Sequence, residues 1–104
     1  VHEHADLAVA YAELGDVAAA MQALNAMRSV PENALTASFW PHYPYWIASR
    51  AAAKLGDPAM ERELLARAHL LLFRMAAAIE DEPTKAAFLD LTASRAIVAA
   101  HARV

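Results

Sequence analysis

The chain has 104 residues, of which 59% are hydrophobic, a formal charge of −3 and no cysteine. That length suffices for one domain; interspersed charges give no basic patch for nucleic acid, and the missing cysteine excludes disulfides, thiolate chemistry and Cys-containing zinc sites. Alanine inflates the hydrophobic share, and β-branched residues do not alternate over strand-length runs, so closely packed helices around one core are expected. The most apolar stretch, 68–79, is short and interrupted by His69 and Arg74, so no membrane span is predicted. The composition fits a cytoplasmic protein. The start at Val1, without a methionine or signal pattern, leads us to expect a segment of a longer protein.

Helix 1 is predicted over about 2–14, with Leu7, Tyr11 and Leu14 on one face and Ala5, Ala8, Val9 and Ala12 extending the apolar arc. Gly15 closes it, and Asp16 caps helix 2, whose stripe is Val17, Ala20, Met21, Leu24 and Met27; Pro31 then blocks continuation. Pro31, Pro41 and Pro44 make the segment 30–44 a loop, with room for a single turn over 33–38. Helix 3 should become regular near Tyr45 and run to Leu55. In the corner Gly56, Asp57, Pro58 each residue suits its place: a left-handed C-terminal position, an N-cap and a first helical turn. Helix 4 then carries Met60, Leu64, Leu65, Ala68, Leu71, Leu72, Met75 and Ile79 at three- and four-residue spacing, for a length of roughly 36 Å. Asp81 or Glu82 caps a short helix from Pro83 with Phe88, Leu89 and Leu91, and Thr92 or Ser94 opens a last one with Ile97 and Val98.

Leu14, Gly15, Asp16 return as Leu55, Gly56, Asp57, a period of 41 residues. A helix hairpin repeated in this way marks an α-solenoid, in which each unit buries its apolar face on its neighbours. The first copy resembles a tetratricopeptide repeat, with Leu7, Ala8, Tyr11, Gly15, Asp16, Ala20 and Leu24 at that family's small and large apolar positions and Pro31 where such repeats end. The second copy is a degenerate repeat: Leu65 and Ala68 still match, but Glu61 stands where Ala20 stands in the first. Tyr45-Trp46, Leu55-Gly56-Asp57, 64–69, Leu71-Leu72, Ile79, Asp81, Phe88-Leu89, Arg95 and Ile97 resemble the C-terminal helical region of large bacterial signalling proteins. These include ATPase-type transcriptional regulators and nucleotide cyclases with tetratricopeptide-like tails. The resemblance implies an all-α, tetratricopeptide-like solenoid of antiparallel hairpins, about five to six helices in a single domain over 1–104. The chemistry of those larger proteins lies in domains other than this one.

Catalytic and metal-binding patterns are weak throughout. His2, His4, His42, His69 and His101 include no pair at three- or four-residue spacing and no HExxH arrangement, so surface or partly buried histidines are expected rather than a metal site. Glu80, Asp81 and Glu82 lack the regular oxygens and turn glycine of a calcium loop and read as capping residues. The serines have no nucleophile-elbow context, and Glu63 and Arg67 read as a solvated i, i+4 pair.

The run 39–46 gathers both tryptophans and two of the three tyrosines. Its rings either seal the long loop onto the hairpins or form a recognition patch. Trp40, Tyr43, Tyr45 and Trp46, with Val9 on helix 1, are therefore the candidate partner-binding residues. The expected function is a non-enzymatic scaffold, without cofactor or metal, that holds a protein or peptide on a concave helical face and does not act on nucleic acid or membrane. Helix 1, whose arc is too wide for one neighbour, is expected to mediate a symmetric homodimer. The alternative is a sensor in which the aromatic run and helix 4 enclose an apolar effector.

Overall fold

The computed structural model describes residues 2–31 and 40–103, and six helices lie among them. These are α1 (His2–Leu14), α2 (Val17–Arg28), α3 (His42–Lys54), α4 (Pro58–Ala77), α5 (Glu82–Leu89) and α6 (Thr92–Ala102). No strand occurs among the described residues, so the protein is all-α. The expected turn over 33–38 and the first ring of the aromatic run, Phe39, lie outside the described residues.

Local chemistry explains most boundaries. Gly15 and Gly56 both adopt left-handed backbone, at φ +77° and +76°, a region that costs glycine least. Beyond each, an aspartate caps the next helix: Asp16 Oδ1 accepts from Ala19 N at 3.2 Å and Asp57 Oδ1 from Met60 N at 3.0 Å. Asp81 repeats the device, accepting from Thr84 N at 2.9 Å. Its extended backbone, φ −77° and ψ 117°, is incompatible with continuing the preceding helix. α4 itself stops at Ala77 rather than reaching Ile79, its last turn tightening into bonds from Ala78 N to Met75 O and from Ile79 N to Ala76 O, and its 20 residues span about 30 Å.

The start of α3 departs from expectation in the other direction. It begins at His42, three residues before Tyr45, because Pro44 falls within the first turn, where a missing N–H breaks no helical bond. Trp40, just before it, has φ +55°, an unfavourable value for a side chain of this size.

The six described helices pack around one core. The most extensive packing joins α3 to α4; α1 packs on both α2 and α3, and α6 lies chiefly on α4 with α5 at its side. The molecule measures 44 × 28 × 19 Å. Its core runs through these helices: Ala8, Leu24, Met27, Tyr45, Ala48, Ala52, Leu64, Leu65, Ala68, Leu72 and Ile97 are buried.

On α1 the buried face is not the expected one. Ala5, Ala8 and Ala12 are buried, whereas Leu7 is 45% and Leu14 80% exposed. The two directions differ by about 140° around the helix. Alanines let α1 approach α2 and α3 closely, and that close approach leaves no room for leucine at the same interface.

Candidate interaction surfaces

The aromatic run is largely turned inward. Tyr45 is fully buried, and its hydroxyl donates to Met27 O at 2.8 Å. Trp40 packs at 5.4 Å from the His42 ring and 5.5 Å from Phe88, making a small cluster where α3 meets α5. Trp46 is partly buried with the Arg50 guanidinium 4.7 Å above its ring, while Arg50 pairs with Glu61 at 2.6 Å across the α3–α4 corner. Tyr43 is the exposed member of the described run. Val9 is partly buried and packs against the core. Of the five candidate partner-binding residues, then, Tyr45 is a core residue, Trp40, Trp46 and Val9 are shared between core and surface, and Tyr43 faces outward.

Two features of this region were not foreseen. Arg67 does not pair with Glu63, which instead meets Arg28 Nε at 2.7 Å. Its Nη1 donates to Met27 O at 3.2 Å, Val30 O at 2.9 Å and the Tyr45 hydroxyl at 3.3 Å. A cation placed there meets the orphaned carbonyls and negative dipole end of α2, so Arg67 ties that helix to α3 and α4. His42, the second, is fully buried against Trp40 and Phe88, and neither ring nitrogen has a hydrogen-bond partner. Burial lowers its pKa below the ordinary 6.5, keeping the ring neutral.

Open apolar surface lies elsewhere, in two places. At one, His4, Leu7 and Tyr11 of α1, with Ala19, Gln22, Ala23 and Ala26 of α2, line a depression of about 270 Å³. At the other, Phe73 of α4 with Leu89, Val98 and Ala99 walls a groove of about 440 Å³, and Arg95 is its charged lining residue. Phe73 is 40% and Val98 38% exposed, which is high for side chains of this size. Beside the groove the rings of His69 and His101 stack at 3.8 Å, and Phe73 lies 4.8 Å from His69. Partial burial and the neighbouring His101 lower the pKa of His69.

The titratable side chains do not converge: no group of three or more potential metal-ligating residues occurs among those described. No described helix is long and apolar enough to cross a membrane. What the surface offers is contact, through large apolar side chains left exposed, Leu7, Leu14, Phe73 and Val98 among them. Comparisons of the chain with protein-family models, curated proteins and solved structures returned no match.

Proposed function

We propose that this chain is a non-enzymatic protein-interaction module, a tetratricopeptide-like solenoid segment of a bacterial signalling or regulatory protein acting in the cytoplasm. The observation that carries the reading is the pair of open apolar ends, Leu7 and Leu14 on α1 and Phe73 and Val98 on α4 and α6. In a solenoid each hairpin buries one face on its neighbour and presents the other, so end faces of this kind are expected. The packing of α1 on both its hairpin partner and the first helix of the next hairpin supports the same reading. The partner chemistry that suits such faces is an amphipathic helix laid in an apolar groove.

Selection of helical peptides from a displayed library tests this. Binders should emerge whose affinity falls at least tenfold with Phe73→Glu or with Leu7→Glu; if no binder responds to either substitution, the interaction reading fails.

The groove also favours a second reading, a small-molecule sensor, because apolar walls with a lone guanidinium suit a carboxylate on an apolar tail. This differs from an effector site in the aromatic run, whose described rings are mostly engaged in packing. A rise in Tm with medium-chain fatty acids, lost in Arg95→Met, would favour the sensor.

A further inference from the structure

His69 of α4 and His101 of α6 meet face to face, with ring centroids 3.8 Å apart and planes within 16° of parallel. Both are partly buried. The stack forms the rung next to the groove: Phe73 stands one turn after His69 and Val98 about one turn before His101, and both line the groove. Whatever parts the two rings therefore also moves the two groove walls apart.

The charges nearest the stack in sequence are mostly of one sign. On α4, Arg62 lies two turns before His69 on the same side, whereas Glu61 and Glu63 pair with Arg50 and Arg28. Arg67 is engaged at the end of α2, and Arg74 points well round α4 from His69. α6 contains neither aspartate nor glutamate, and it carries Arg95 and is followed by Arg103. Around α5, Asp81 serves as its cap, Glu82 meets Lys85 at 3.7 Å and Asp90 meets Arg95 at 4.0 Å, while Glu80 lies in the connection beyond α4. α3 supplies Arg50, Lys54 and the neutral, buried His42. No carboxylate among the described residues pairs with either ring of the stack.

Two imidazoles hold this arrangement when both are neutral, or when one is charged and rests on the π face of the other. Two imidazolium ions at the same spacing repel, and here no carboxylate offsets them. We propose that the stack is a proton-operated latch on the groove: with at most one ring charged it holds the end of α6 against α4, and with both charged it parts and the groove loses its shape. This rests on reading the groove as a peptide-binding surface. Partial burial and the neighbouring His101 hold the pKa of His69 below the ordinary 6.5, which places the second protonation on the acid side of neutrality. The unfolded chain then binds more protons than the folded one as pH falls, so the closed groove is fully stable above about pH 6.5 and is lost below it.

The native chain, His69→Gln, His101→Gln and the double variant test the latch, with circular dichroism confirming that each is folded. Urea unfolding at about pH 7.5 and about pH 5.5 should show that either single substitution removes most of the acid sensitivity the double removes, because repulsion needs both charges. The share due to His42 is common to all four. Independent histidines would instead give single effects that sum to the double, which would overturn the latch. In NMR, the Val98 methyl signals should titrate in the native chain and stay level in both single variants; native methyl signals that do not move with pH would overturn it too. Histidine-free peptides selected through the groove, recognised by their loss with Phe73→Glu, should bind at least about fivefold more weakly at the lower pH in the native chain and nearly equally in the variants. Equal native affinity at both pH values would overturn the gating. If no peptide is selected through the groove, the reading of it as a peptide-binding surface fails, while the urea and methyl results still decide whether the latch exists.

Discussion

Arg67 and Tyr45 form the polar joint of an otherwise apolar core. Arg67 reaches two carbonyls at the end of α2 and the Tyr45 hydroxyl, and Tyr45 shares the Met27 carbonyl. Arg67→Met keeps most of the stem but loses these charge-assisted bonds, and should destabilise the fold by about 2 kcal/mol, lowering Tm by about 10 °C. Tyr45→Phe should cost about 1 kcal/mol, since Arg67 still serves the Met27 carbonyl. Their effects should be non-additive, which urea unfolding of both single variants and the double variant would reveal. His42 supplies a pH dependence. Its folded pKa lies below the ordinary 6.5 because the ring is buried, so at mildly acidic pH the unfolded chain binds more protons than the folded one. Stability should therefore be at its plateau above about pH 6.5 and fall as pH drops below it, with His69 adding in the same direction. Urea midpoints at about pH 7.5 and about pH 5.5 should differ less in His42→Leu than in the native chain. None of this was visible in the local pattern. Arg67 stands four residues after Glu63, the usual position for a surface pair, and its actual partners are up to 40 residues away in sequence.

Corners were the most legible elements, because glycine backbone freedom and aspartate capping act within a few residues. Gly15, Gly56, Asp16, Asp57 and Asp81 each occupy the place their chemistry suggests. A Cβ at either glycine would meet no atom within 4 Å, so the cost of substitution is purely one of backbone conformation. Gly56→Val should destabilise by about 2 kcal/mol and Gly15→Ala by about 1 kcal/mol, because the β-branched side chain tolerates positive φ least. Thermal melts of the two variants would check the order. The face of α1 was not legible. Leu7, Tyr11 and Leu14 form the stronger hydrophobic stripe by residue type, yet the close approach of two neighbouring helices selects the alanine side. A hydrophobicity pattern records which residues avoid water, whereas the interhelical distance decides which of them fit.

For the whole molecule, the choice of alanines on α1 leaves Leu7 and Leu14 outside, and on α4 and α6 Phe73 and Val98 remain partly exposed beside a core of larger side chains. The all-helical fold was legible from composition and spacing. The contact surfaces were not, since the aromatic run that draws the eye in the sequence is mostly spent on internal packing. The groove instead depends on how α5 and α6 settle on α4, a matter of tertiary contacts among Phe73, Leu89 and Val98 that no short motif encodes. The claim that these two faces are the working surfaces is tested most directly by backbone amide NMR shifts followed during titration with the helical peptides selected from the displayed library. The account predicts peptide-dependent shifts at two separate places, around Leu7, Tyr11 and Leu14 and around Phe73, Arg95 and Val98, with α3 unmoved. Shifts confined to Tyr43 and Trp46 on α3, or at one end alone, would contradict it.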